Sequence, residues 1–280
     1  MATQYSEVVQ TAQEYYNSDD ADNFYFHIWG GEDIHVGIYS NESEAIAIAS
    51  QRTVDTMAKL LGDLPSGARF IDLGAGYGGA ARYLARKFGS KVHCINLSET
   101  QNRRNRDLTR EQGLADWIEV TDGSFENLPD GDGLYDVAWS QDSFLHSGAR
   151  AQVMDEIDRV LKPGGKLIFT DPMQADDCPE GVLKPVLDRI HLDSLGSVAF
   201  YRQQAKRLGW QELEFVDLTD QLVKHYSSVR RELRSRRQEL TVHVSEAYID
   251  RMIEGLGHWV SAGEQGFLAW GILLFEKPQD

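Results

Sequence analysis

From Ala68 onward, short apolar runs rich in β-branched residues alternate with longer stretches in which apolar positions recur at helical spacing. Strands are expected at Arg69–Leu73, Lys91–Leu97, Trp117–Thr121, Tyr135–Ser140 and Lys166–Thr170, with helices between most of them. Two further strands are expected at Glu212–Leu218 and Phe267–Phe275. Such alternation builds a mostly parallel sheet covered by helices on both faces, an α/β Rossmann-like architecture. Lys162-Pro163-Gly164-Gly165 supplies the turn into the fifth strand, because proline and paired glycines stop a helix and permit positive φ.

Two segments fall outside this rhythm. Residues 1–67 read as helical and aromatic, with Tyr15, Tyr16, Phe24, Tyr25, Phe26 and Trp29 ahead of Gly30-Gly31, a composition suited to a lid. Residues 219–266 separate the last two strands and include an expected helix, Gln221–Leu240, that carries five arginines. A solvated helix face accounts for those arginines better than a nucleic-acid patch does. The expected division is a helical lid (1–67), a Rossmann-like core (68–218), a helical cap (219–266) and a last strand returning to the sheet (267–280).

Composition narrows the function classes. With 280 residues, 41% hydrophobic and 26% charged, the chain can bury enough apolar surface to fold, which excludes disordered and fibrous classes. A formal charge of −16 opposes binding to polyanions, since such affinity rests on Lys and Arg neutralising phosphates. The run Phe267–Phe275 is about half of the ~20 residues that span a bilayer, so no membrane partner is expected. The first residues show neither a basic n-region nor an apolar h-region, and a cytoplasmic location follows as the expectation. Cys94 and Cys178 stand far apart without a C-x-x-C, so no metal site is expected.

The candidate chemistry begins at Asp72-Leu73-Gly74-Ala75-Gly76-Tyr77-Gly78-Gly79, a glycine-rich turn from the first strand into a helix. Such turns bring backbone N–H groups close to a ligand, and G-x-G-x-x-G occurs in nicotinamide enzymes as well. A dinucleotide reading calls for an acidic ribose ligand about 20 residues on, where this chain has Asn96-Leu97-Ser98. The glycine loop, Asp122-Gly123-Ser124-Phe125 after strand three, and LKPGG before strand five together resemble the class I S-adenosylmethionine-dependent methyltransferases. That resemblance implies Gly74, Ala75 and Gly76 at the methionine moiety, and Asn96 and Leu97 at the ribose. It also implies Asp122, Gly123, Ser124 and Phe125 at the adenine, with Gln101 and Ser140 joining them.

The segments Phe24–Tyr39, Trp139–Gly148, Phe169–Arg202 and Gly266–Pro278 are similar to the sarcosine/dimethylglycine N-methyltransferases. The resemblance implies successive methyl transfer from S-adenosylmethionine to sarcosine and then dimethylglycine, giving glycine betaine, with these small amino acids as partners of a monomer or weak homodimer. Glycine, phosphoethanolamine or a lipid carbon are the alternative acceptors, and a nicotinamide-dependent oxidoreductase is the reading from another class. After strand four, Asp142 and His146 form a D-x-x-x-H arrangement suited to proton handling. Related small-amine methyltransferases place an N-terminal tyrosine above that pair, which matches Tyr25 here. Tyr25 and Trp29 offer aromatic faces to a methylated nitrogen. Arg189, with His191 beside it and Arg202 further on, are the candidates for the acceptor carboxylate, and Met173 for lining the same pocket.

Overall fold

The computed structural model describes residues 5–190 and 192–279. In chain order the elements are α1 (Glu7–Asn17), α2 (Asp19–Trp29), α3 (Ile46–Leu60), β1 (Arg69–Leu73), α4 (Gly79–Phe88), β2 (Lys91–Asn96), α5 (Glu99–Glu111), β3 (Ile118–Asp122) and β4 (Tyr135–Gln141). They continue with α6 (Arg150–Val160), β5 (Leu161–Thr170), β6 (Met173–Gln174), α7 (Lys184–Arg189), α8 (Val198–Arg207), β7 (Gln211–Asp217), α9 (Thr219–Ser235), α10 (Arg237–Leu240), α11 (Glu246–Glu264), β8 (Leu268–Ala269) and β9 (Gly271–Glu276).

Seven strands form one sheet in the order β3-β2-β1-β4-β5-β9-β7. The pairs from β3 to β5 are parallel, and β9 runs antiparallel to both β5 and β7. The central strands are buried on both faces, as their near-continuous apolar sequences require. One face packs under Met154, Ile157, Phe169 and Tyr201, the other under Val54, Met57, Leu84 and Trp139. The strand order reverses between β1 and β4, and ligands of open α/β sheets bind at the carboxyl ends of strands at such a switch point. That is where the glycine loop and the Asp142 segment emerge.

Three sequence expectations change. The fifth strand already pairs with β4 at Leu161, and LKPGG forms an irregularity within the strand, with Gly164 at φ +72. The expected helix Gln221–Leu240 is interrupted at Arg236 and is followed by the longer α11. Phe267–Phe275, read as one strand, is two: β8 pairs with β6 in a small second sheet, and β9 enters the main sheet. Trp270 stands at the break.

Helices α1 and α2 and the irregular segment 30–45 lie across the carboxyl edge of the sheet and meet α9 and α11, forming a cluster of the aromatic Phe24, Tyr25, Trp29, Tyr77 and Tyr248 with Met252. The 30–45 segment is fastened by backbone donors: the Gly37 N–H bonds His225 Nδ1 (3.1 Å), and the Tyr39 N–H bonds Gln221 Oε1 (2.8 Å). Arg230, Arg231, Arg236 and Arg237 bond protein groups of the cap and the N-terminal segment.

Candidate active site

The glycine loop needs its glycines. Gly74 (φ +78) and Gly76 (φ +52) adopt left-handed backbone, and a Cβ on Gly74 would stand 2.4 Å from the Ser143 side chain. The loop forms one wall of a cavity of about 60 Å³ whose other walls include Ala12, Tyr16, Ile34, Asn96, Leu97, Ser98, Gln101 and Phe125. Asn96 donates to Gln101 Oε1 (3.1 Å), leaving the buried Gln101 Nε2 without an acceptor among the described residues. An orphaned amide donor at the start of α5, across a cavity from the glycine backbone that follows β1, fits the hydroxyls and carboxylate of S-adenosylmethionine.

Some expected contacts are absent from this cavity. Ala75, Asp122, Gly123 and Ser124 are not among its walls. Asp122 is exposed and accepts from Asn102 and Arg106, and the Ser124 hydroxyl accepts the Glu126 N–H. Ser140 is fully buried, its hydroxyl donating to the Leu73 carbonyl at 2.8 Å, so it ties β4 to β1 instead of facing the cavity. Across the mouth lies α1, held by Gln13 Nε2 to the Leu97 carbonyl (3.2 Å) and by the Ser98 hydroxyl to Asn17 Oδ1 (2.8 Å).

A second cavity, of about 50 Å³, adjoins the first. Tyr16, Ile34, Asp142 and His146 belong to the walls of both. The remaining walls bring in Tyr25 and Trp29 of α2, His35 and Val36, Arg189 of α7, His225 and Tyr226 of α9, and Trp259 of α11. Its walls thus draw on five helices and the 30–45 segment, converging on a small space.

Asp142 follows β4 and takes φ +51, the one left-handed non-glycine among the described residues. Its carboxylate is held at both oxygens, by the Val36 N–H on Oδ2 (2.6 Å) and the Trp270 indole N–H on Oδ1 (2.7 Å). Burial raises its pKa above the usual carboxylate range, against the lowering effects of His35 and these hydrogen bonds. His146 closes a single turn of 3₁₀ helix, and its Nε2 stands 2.8 Å from the Tyr16 hydroxyl. Burial, reinforced by Arg150 and Arg189, lowers the imidazole pKa to about 4, so the ring is neutral at pH 7.

Arg189 is the unusual group. It lines the cavity, yet among the described residues its Nε is buried without an acceptor and its Nη2 reaches only the Met252 sulfur, at 3.7 Å. Its charge persists despite desolvation, because a guanidinium does not shed its proton in a protein. Room for it comes from Gly255 of α11, where a Cβ would meet Arg189 Cδ at 2.4 Å. Trp259 Nε1, on another wall, is a second buried donor without an acceptor.

Against these positions three expectations need correction and one lies outside the described residues. Arg202 is exposed and ion-paired with Glu212 (2.7 Å), which removes it from the site. Met173 is fully buried in the main core, where β6 pairs with β8, and is not a wall of this cavity. The tyrosine that meets His146 is Tyr16, whereas the Tyr25 hydroxyl stands 3.3 Å from that of Tyr15. Tyr25 and Trp29 do line the acceptor cavity. His191 lies outside the described residues. Sequence reasoning missed Tyr16, Ile34, His35, Val36, Tyr226, Trp259 and Trp270. Only the aromatic richness of α1 and α2 pointed toward any of them.

This strand order, with a glycine loop at its switch point and a polar cavity beside it, defines a class I methyltransferase, and residues 71–169 match the methyltransferase domain family. The chain belongs more narrowly to the sarcosine/dimethylglycine N-methyltransferases. It is 58% identical over 97% of its length to the enzyme of that name from Aphanothece halophytica, covering 98% of the relative. It is 56% identical over 99% of its length to the one from Halorhodospira halochloris, covering all of it. A crystal structure from Galdieria sulphuraria, provisionally described as a sarcosine dimethylglycine methyltransferase, superposes with a TM-score of 0.90 at 46% identity, covering 95% of this chain and all of that one.

Proposed function

We infer that the protein methylates the nitrogen of sarcosine and then of dimethylglycine with S-adenosylmethionine, yielding glycine betaine. The observation that carries the acceptor assignment is Arg189, a cation on the wall of a small cavity, with no carboxylate bonded to it among the described residues. Enclosing a charge without a partner is costly, so a site that does so is built for the counter-ion that arrives with the ligand. The same cavity holds a carboxylate, Asp142, and the aromatic faces of Tyr16, Tyr25, Trp29 and Tyr226. A cation for one end and an anion with aromatic rings for the other match a small amino-acid zwitterion.

When bound, S-adenosylmethionine supplies an activated methyl group on a sulfonium. The chain's own contribution is to position the amine and relieve it of its proton. An alkylammonium titrates near ~10, so presenting it neutral at pH 7 costs about 4 kcal/mol. Asp142 is a suitable acceptor for that proton, since burial makes its carboxylate more basic than an exposed one. His146 is neutral, and its imidazole can accept a hydrogen bond from the amine or from the Tyr16 hydroxyl, which burial keeps protonated. Arg189, with Trp259 as a second free donor, holds the carboxylate. Because Tyr16, Asp142 and His146 wall both cavities, the amine is presented where the methyl donor ends. Such alignment is worth ~7–11 kcal/mol in favourable cases.

Incubating the protein with S-adenosylmethionine and, separately, glycine, sarcosine, dimethylglycine or phosphoethanolamine tests this by mass detection of products. Betaine from sarcosine and dimethylglycine is expected. Methylation of phosphoethanolamine alone, or of none of the four, would overturn the acceptor assignment.

A further inference from the structure

The chain segment entering the last strand breaks at a particular side chain. Phe267–Phe275 is apolar throughout, and such a run has every local reason to continue as one strand. It divides instead at Trp270, with β8 on one side and β9 on the other. The backbone at this point is captured from the start of the cap: the Leu218 N–H bonds the Trp270 carbonyl (2.9 Å), and the Trp270 N–H bonds the Thr219 hydroxyl (3.1 Å). The result delivers a fully buried indole to the carboxyl edge of the sheet, where its Nε1–H bonds Asp142 Oδ1 at 2.7 Å.

Asp142 has little freedom once that bond is made. Its own N–H is tied to the Thr170 carbonyl (2.9 Å), its second oxygen to the Val36 N–H, and its backbone is held at φ +51. A non-glycine residue in the left-handed region is uncommon and persists where the surroundings fix it. The clamp has one arm from the 30–45 segment and one from the far end of the chain.

We propose that Trp270 is a positioning residue for methyl transfer: its indole N–H fixes the orientation of the Asp142 carboxylate toward the amine and favours its ionised form. The proposal rests on the reading of Asp142 as the group that receives the ammonium proton. The other groups facing that carboxylate are His35 from the 30–45 segment, Thr170 and Asp171 from the end of β5, and Tyr226 from α9. Trp270→Phe alters none of these residues, keeps a ring in the pocket and removes the donor and part of the volume.

The test measures kcat/KM for dimethylglycine against pH in the wild type and in Trp270→Phe, with S-adenosylmethionine affinity measured by calorimetry. Removing the donor should lower kcat/KM by about ten- to a hundredfold, the worth of one hydrogen bond to a charged group. It should also move the acid limb of the profile to higher pH by about one unit, since the ionised form loses support. Cofactor affinity should stay within about twofold, because the indole is not itself a wall of the glycine loop's cavity. A spectroscopic arm needs no folded variant at 270: the ¹H–¹⁵N indole resonance of Trp270 in the wild type should shift across the pH range of that limb. In Asp142→Asn it should not titrate. An acid limb unmoved in a folded Trp270→Phe, or an indole resonance indifferent to pH while kcat/KM falls, would overturn the proposal. If Asp142→Asn itself turns over normally, the reading of Asp142 fails instead, whatever Trp270 does.

Discussion

Replacing Arg189 with methionine separates a binding role from a structural one, because the two predict opposite changes in stability. A structural arginine normally bonds carboxylates or carbonyls, and its loss leaves them unpaired. Arg189 has a thioether sulfur at 3.7 Å and an orphaned Nε. Exchanging enclosed charged groups for apolar residues of similar volume is often neutral or stabilising by about 1–4 kcal/mol. Arg189 is half-buried, so a small effect is expected, about 0–2 kcal/mol. At about 2.1 cal/mol/K per residue over 280 residues, that corresponds to a Tm unchanged or raised by roughly 0–3 °C. Function should move the other way. Losing charge-assisted hydrogen bonds worth about 2–3 kcal/mol to the acceptor carboxylate reduces kcat/KM for dimethylglycine by roughly thirty- to two-hundredfold, mainly through KM. The KM for S-adenosylmethionine should change little. Thermal melts with and without dimethylglycine add an independent reading: the ligand should raise Tm in the wild type and fail to do so in Arg189→Met. A variant whose Tm falls by several degrees while its acceptor KM holds would show that Arg189 is scaffolding and would refute the argument.

Three further outcomes are expected. Asp142→Asn and His146→Ala should bind S-adenosylmethionine within a few-fold of wild type by calorimetry while losing at least ~100-fold in turnover. Since Asp142 acts ionised and burial raises its pKa, activity should fall as pH drops through that raised value; the imidazole of His146, which titrates only at about 4, should leave no signature above pH 5. Tyr16→Phe should cost about tenfold in kcat and Tyr25→Phe less, because only Tyr16 reaches His146; the reverse ranking would restore Tyr25 to that place. Asn17→Ala should speed S-adenosylmethionine dissociation in stopped-flow traces by severalfold and leave single-turnover chemistry unchanged, as Asn17 anchors α1 to Ser98 over the cofactor cavity.

The Rossmann-like half of the molecule was legible because its signals are local. Strand ends came within a residue or two for β1, β2 and β4, where apolar runs stop at glycine or polar residues, and the glycine loop carries its own turn chemistry. The break at Trp270 was illegible because nothing in FLAWGILLF is polar or a turn former except one glycine; the interruption comes from Thr219 and Asp142, far away in sequence. Arg189 and Arg202 look alike in sequence. One finds Glu212 on a neighbouring strand, and the other finds no acid among the described residues, a difference that exists only once α7 and α11 are packed. Tyr16 and Tyr25 are likewise both helical tyrosines, and the capture of α1 by Ser98 and Leu97 decides which one reaches His146.

This division follows from what each half of the site has to recognise. In the proposed arrangement the methyl donor meets backbone and small residues at a strand-to-helix turn, a solution available wherever such a sheet occurs. The acceptor has few atoms, so affinity and selectivity must come from enclosing it, and enclosure requires walls from many directions: α1, α2, α7, α9, α11 and the 30–45 segment. The charges of that enclosure also bear on how far methylation runs. Sarcosine and dimethylglycine each bring an N–H for Asp142 and His146, together with a carboxylate for Arg189. Betaine retains the carboxylate but has no N–H and no lone pair, so the clamped Asp142 carboxylate loses its hydrogen-bonded partner as the last methyl arrives. With Asp142 as the proposed proton acceptor, the group that readies the amine binds the final product less well than either substrate, and transfer stops at three methyl groups because no nitrogen lone pair remains.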